Sequence, residues 1–241
     1  MPCPQEWIKA YDKLFYKFLW GTRAKVKKEN ILNHIQNGGL NMIDINLQFM
    51  SLNLKWLFKF LSCREYENKS KWTIFFAYWI DKIGGIDVVM NCKCPTKYMR
   101  SLKSKLPDFY YELFYTWFSV RQLSNSEKLQ LSYTNIKREL LWLNKDITYK
   151  GSVLLYRNWI KSNILFVGDI VGVNGFLNNN ELKEKLVYRD GKWLSEYARV
   201  RSALNSQWKQ ILKDQDQTND RSFDRYKHES LSYSNVLLLK Q

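Results

Sequence analysis

The chain is poor in the residues that most chemistry uses. It has two histidines, His34 and His228, and four cysteines, at positions 3, 63, 92 and 94, in 241 residues. So few thiols are too sparse for a secreted disulfide scaffold, and they point to an intracellular, reducing setting, nuclear or cytoplasmic. Cys92-Lys93-Cys94 has a single intervening residue, tighter than the usual zinc-ligand spacing, and no second pair follows it. His34 sits between Asn33 and Ile35 and His228 lies in the polar tail, and a lone histidine without a positioned base, acid or metal neighbour is weak evidence for catalysis. No two acidic residues are adjacent, so the paired-carboxylate hairpin that two-metal phosphoryl transfer requires is missing. Asp214-Gln215-Asp216 comes nearest, in a polar stretch that suits solvated charge better than fixed metal ligands. Neither G-x-x-x-x-G-K-[ST] nor G-x-G-x-x-G occurs. No apolar run approaches the ~20 residues of a membrane span. The opening Met1-Pro2-Cys3-Pro4-Gln5-Glu6 has no basic region leading into an apolar one, so no secretory leader is expected. Asn68-Lys69-Ser70 fits the glycosylation pattern as a short chance match. These absences argue against an independent enzyme: no catalytic residue, metal ligand or cofactor is expected, and no membrane partner.

Aromatic residues and positive charge are abundant. Aromatics make up 16% of the chain and hydrophobic residues 45%, which argues for a packed body rather than disorder. Lys and Arg number 38 against 23 Asp and Glu, a formal net charge of +15. That surplus points to a polyanionic partner, nucleic acid before an acidic membrane surface. It leans to the first half, since residues 1–105 hold 18 basic and 8 acidic residues, a net of +10, leaving +5 for the rest.

Periodicity predicts a mainly helical chain, a multi-helix bundle-like body with small β elements in its C-terminal half. Glu6 to Trp20 carries Trp7, Tyr11, Leu14, Phe15 and Phe18 at helical spacing, and Gly21 stops it. Arg23, Lys25, Lys27 and Lys28 alternate with other residues, the pattern of an extended segment. After the Gly38-Gly39 turn, Asp44 or Asn46 caps a long helix to about Leu61, with Phe49, Leu52, Trp56, Leu57 and Phe60 on one side. A helix over 70–81 turns Trp72, Phe75, Phe76 and Trp79 inward and breaks at Gly84-Gly85. Pro95 opens a short basic helix holding Lys97, Arg100, Lys103 and Lys105. Pro107 suits the first turn of the next, whose face is Tyr110, Leu113, Phe114, Trp117 and Val120.

The polar stretch 124–132 reads as a linker, dividing a region over 1–123 from a mixed region over 133–212, with a polar tail over 213–241. Beyond it, Ile147-Thr148-Tyr149 before Lys150-Gly151 reads as strand and turn, 153–161 as helix and 164–173 as strand. Asn178 to Glu181 caps another helix, and 193–212 forms the last.

Several stretches occur in one order. Phe18-Leu19-Trp20-Gly21 is followed by the basic segment, then by Gly38-Gly39-Leu40-Asn41-Met42-Ile43-Asp44 and a helix with Leu52, Leu54 and Trp56. Leu106-Pro107-Asp108-Phe109-Tyr110, Trp117 and Leu141-Trp142-Leu143-Asn144-Lys145-Asp146-Ile147 come next. Gly151, Trp159, Ile164, Val167, Asp169-Ile170 and Trp208-Lys209 complete the series. Over residues 6–212 this resembles the region that follows the polymerase core in LINE-type (non-LTR) retrotransposon reverse transcriptases. The chain departs from that pattern at Ser162-Asn163, where many relatives place a glycine, and no cysteine–histidine knuckle follows. The palm, the fingers and the endonuclease of such enzymes are not in this sequence. The resemblance therefore implies a non-catalytic segment beside the thumb that helps hold template RNA or target DNA, with the upstream polymerase core as a further partner. The alternative is a retroelement relic that serves as a protein-interaction module or has no function.

The residues best suited to nucleic acid are Arg23, Lys25, Lys27 and Lys28, of which Arg23, Lys25 and Lys27 form one row of phosphate contacts in an extended segment. Lys97, Arg100, Lys103 and Lys105 are a second candidate, the first three only roughly aligned on one helix face, and Trp20 is a candidate stacking surface at the helix end. Trp7, Trp56, Trp72, Trp117 and Trp208 lie on apolar helical stripes and are expected in the core.

Overall fold

A computed structural model of the chain describes residues 5–21, 26–65, 71–124, 131–172, 175–187 and 191–214. Arg23, Lys25, Cys3, Asp216, His228, the glycosylation triplet and most of the polar linker and tail lie outside these residues. Among the described residues the fold is mainly helical, with two two-stranded antiparallel hairpins in the C-terminal half.

The N-terminal half is built from α1 (Gln5–Trp20), α2 (Lys28–Leu32), α3 (Ile45–Glu65), α4 (Trp72–Ile83), α5 (Ile86–Asn91), α6 (Thr96–Ser101) and α7 (Asp108–Ser124). The long helix α3 starts where Asp44 caps it: Asp44 Oδ1 accepts from Asn46 N at 2.8 Å and from Leu47 N at 3.3 Å. It packs along α7, and Asn53 Nδ2 donates to Thr116 Oγ1 across the seam at 3.4 Å. Aromatic rings fill the space between α3, α4 and α7. Phe60 stacks on Phe76 at 4.5 Å, and Phe76 meets Tyr110 and Phe114 edge-on. Trp117 is fully buried beneath them and donates its indole N–H to Val89 O at 2.9 Å. Gly84 and Gly85, with φ of 115° and 90°, end α4 in a conformation that glycine adopts without strain.

The C-terminal half begins with α8 (Tyr133–Lys137). It continues through the hairpin β1 (Thr148–Tyr149) with β2 (Ser152–Val153), then α9 (Arg157–Lys161) and a 3-10 turn over Val167–Ile170. The hairpin β3 (Val171–Gly172) with β4 (Gly175–Phe176) follows, then α10 (Asn179–Lys185), α11 (Trp193–Ala203) and α12 (Ser206–Asp214). Its centre is an aromatic chain in which Trp142 meets Tyr156 and Trp159, and Trp159 meets Tyr197. The Trp142 and Trp159 indoles are satisfied by Ile164 O at 2.9 Å and Glu196 Oε2 at 2.8 Å.

One hydrophobic cluster spans both halves, from Leu54 to Leu212. Backbone and side-chain bonds tie them together: Lys145 N donates to Lys93 O at 3.0 Å, Arg157 to Lys82 O at 3.0 Å, and the Lys93 ammonium pairs with Glu139. Ile8 on α1 and Ile31 on α2 are also buried but lie outside that cluster, so α1 and α2 form an appended layer.

Several sequence expectations change. On α1 the striped residues Trp7, Leu14 and Phe18 face solvent, at 71%, 68% and 84% exposure, because the buried side of the helix is the one carrying Ile8. On α3 the buried line is Leu54, Leu57 and Phe60, with Leu52 and Trp56 exposed; apolar residues occur on nearly every face, so period alone could not choose. Phe75 faces solvent and Phe76 faces the core. Lys28 opens α2 rather than extending a strand, and Lys103 and Lys105 fall in the turn after α6. Pro107 lies immediately before α7. The helix expected over 153–161 starts only at Arg157, because Val153 pairs with Thr148. Of the strand expected over 164–173, Val171–Gly172 form β3, while Val167–Ile170 form the 3-10 turn, which Asp169 closes by accepting from Leu165 N and Phe166 N at 2.8 Å each. The last helix is two, since Asn205 breaks the run and caps the second by accepting from Trp208 N at 2.8 Å. The capping box at Asn178–Glu181 and the turn at Lys150-Gly151 form as expected. Trp117 and Trp208 are buried as expected.

Gly39 makes the closest backbone approach. A Cβ there would sit 1.9 Å from Asn33 O, an atom held by the Asn41 N bond at 2.9 Å. Gly39→Ala is expected to lower stability by about 2 kcal/mol as the turn reopens to admit the methyl group. Thermal unfolding of the variant checks this; an unchanged Tm would show the turn to be freely deformable.

Candidate nucleic-acid interface

The interface residues expected from sequence divide into three groups. Trp20 ends α1 half-buried, its ring stacked on Tyr16 at 5.6 Å, so one face of the indole is already occupied. Lys27 is exposed in extended backbone just before α2. Lys28 is different: its ammonium sits 2.7 Å from Asp12 Oδ2 and pins α2 to α1. The hydrogen bond to Asp12 holds Lys28 above the usual lysine range, so the ammonium keeps its charge until pH rises through that raised range. Lys28 thus clamps α2 to α1, a role beside the phosphate contact expected of it from sequence.

Lys97 and Arg100 are exposed on α6, and Lys103 and Lys105 continue them in the following turn. Lys103 lies close enough to Glu112 to oppose the rise in its pKa. Burial is the larger effect and pushes the Glu112 carboxyl up. This patch therefore carries one cation partly offset by an acid.

The structure adds a row that the sequence reading passed over. Lys9, Lys13 and Lys17 are all exposed on α1 at i, i+4 and i+8. Successive members are roughly 6 Å apart along the axis, comparable to the advance of about two nucleotides on one strand. The spacing was visible in the sequence, but the apolar stripe of the same helix drew the assignment. A third basic group joins residues distant in sequence. Lys150 and Arg199 lie over the Tyr149 ring at 5.6 and 6.0 Å, and Arg201 lies over Phe176 and Tyr197 at 5.4 and 5.6 Å. It exists because α11 packs on β1.

Among the described residues no group of three or more His, Cys, Asp or Glu side chains converges on a common point. Cys92 and Cys94 are buried, and burial, aided by their mutual hydrogen bond, pushes the Cys92 thiol well above its ordinary range. The protonated thiol that results is a poor nucleophile and metal ligand. His34 Nδ1 accepts from Gln36 N at 3.3 Å, capping a 3-10 turn over Ile35–Asn37. Among the described residues no helix is long and apolar enough to cross a membrane.

The motif residues behind the family resemblance are mainly structural in this fold. Trp142 and Asn144 are fully buried, Trp159 is buried against Trp142, and Asp169 closes a turn. Comparison of the chain with protein-family models, curated proteins and solved structures returned no match.

Proposed function

We propose that the chain is a non-catalytic nucleic-acid-binding and scaffold segment of a LINE-type RNA-directed DNA polymerase. It would hold template RNA or target DNA by phosphate contacts, alongside an upstream polymerase core in the nucleus or cytoplasm. The family reading rests on the ordered sequence motifs. The observation that carries the binding role is the exposed row Lys9, Lys13 and Lys17 on α1, with Lys27 at the start of the neighbouring helix, in a chain of net charge +15. Contacts of this kind give affinity without base readout.

Binding of the purified chain to single-stranded RNA and duplex DNA across a salt series tests the role. Affinity is expected to fall steeply with salt. Changing Lys9, Lys13 and Lys27 together to Ala should weaken binding to all sequences alike and reduce the magnitude of the log–log salt slope by ~2–3. Absence of binding by folded protein at low salt would remove the role. The alternative, a relic acting as a protein-interaction module, is favoured by the open apolar face of α1. In that case the chain would bind no nucleic acid while retaining its fold.

A further inference from the structure

The apolar face of α1 has a use that is independent of nucleic acid. Its exposed residues are Trp7, Tyr11, Leu14 and Phe18. They follow one another at intervals of four, three and four, the seam spacing of a two-helix coiled coil. Ile8, on another side of the helix, is buried. The helix thus has two apolar sides, one used and one open. Glu6 and Lys17 lie on the same edge of the open seam, one near each end, and neither has a hydrogen-bond or ion-pair partner within the described residues.

We propose that α1 is a self-association surface through which two copies of this chain pair antiparallel about a two-fold axis. The axis passes between Tyr11 and Leu14. Trp7 then faces Phe18 of the second copy, and Tyr11 faces Leu14 of the second copy. Such an interface is isologous, so each contact occurs twice. The same operation brings Glu6 opposite Lys17 of the second copy at both ends, pairing two charges that have no ion-pair partner among the described residues. A parallel pair would not bring these two residues together. Aromatic side chains present 150–250 Å² each. Covering three of them and Leu14 on both copies removes on the order of 1,000 Å² from water, about the threshold for a specific interface. Lys9 and Lys13 point away from the seam and stay open, so in the pair they and Lys27 remain available for phosphate contact while Lys17 is taken up by Glu6 of the second copy.

Sedimentation of nuclease-treated protein over a concentration series tests the proposal. The expected result is a monomer–dimer equilibrium. Leu14→Asp with Phe18→Asp should raise the dimer dissociation constant ~100-fold or more. Both positions are solvent-facing, so circular dichroism of this variant should match the parent. Lys17→Glu alone should weaken the dimer by ~10-fold, and adding Glu6→Lys should recover it. A monomer at every concentration overturns the proposal, as does a dimer indifferent to the Leu14 and Phe18 changes. Failure of the charge swap to restore pairing overturns the antiparallel register. The nucleic-acid role fails separately, through the Lys9, Lys13 and Lys27 variant, which should leave sedimentation unchanged.

Discussion

Replacing Trp142 with Ala is expected to destabilise the fold by ~3–5 kcal/mol, measured by denaturant unfolding. The side chain is fully buried, with its ring against Tyr156 and Trp159 at 5.6 and 5.9 Å. Removing it opens a cavity that the neighbours cannot fill, because Leu141 and Leu143 on either side are tied down by backbone bonds to Leu165 O and Leu154 O. It also strands Ile164 O, which accepts the indole N–H at 2.9 Å. Trp142→Phe separates the two effects. It keeps most of the apolar volume and loses the donor, and should cost ~1–3 kcal/mol. If Ala and Phe cost the same, the hydrogen bond rather than the packing holds this region.

The second large effect is expected from Asn144→Asp, a change of almost no volume. Asn144 is fully buried, and its Nδ2 donates to Leu140 O at 2.8 Å and to Glu139 Oε2 at 3.1 Å, while its Oδ1 accepts from Asp146 N at 2.9 Å. A carboxylate would turn an oxygen toward both acceptors and place a second negative charge beside Glu139, whose existing charge is already paired with Lys93. The loss at neutral pH is expected to be ~2–4 kcal/mol. Burial and Glu139 both oppose the new charge, so this carboxyl titrates higher in the folded state than in the unfolded chain. The pH-dependent part of the penalty is therefore absent below the unfolded carboxyl range, grows as pH rises through it, and levels off above the folded value. Asn144→Leu should lose comparable stability with no such dependence on pH. An Asn144→Asp penalty that is flat from pH 4 to pH 8 would show that the site admits solvent.

What the sequence made legible was local. The Asn178–Glu181 capping box needs only residues three apart, and the hairpin at Lys150-Gly151 needs only two residues that accept positive φ, observed at 51° and 74°. Helix α1 was bounded correctly for the same reason. Its facing was not, because amphipathicity shows that a helix has an apolar side and leaves open what that side meets. The break at Asn205 hid inside a continuous apolar period. In the candidate interface, charge type was legible and charge availability was not. Whether a lysine is free depends on a distant residue such as Asp12 opposite Lys28, and the cations around Tyr149 come together only once α11 is docked.

The hydrophobic cluster that runs through both halves has a consequence for synthesis. A chain emerging from the ribosome presents Leu54, Phe76 and Trp117 before Trp142, Trp159 and Trp208 exist. The early helices can form and pair, but Lys93 has no Glu139 to meet, and Lys82 O waits for Arg157. The nascent N-terminal portion should therefore persist as a loosely packed intermediate with unsatisfied contacts, a natural client for chaperones, until the C-terminal portion is released to complete it.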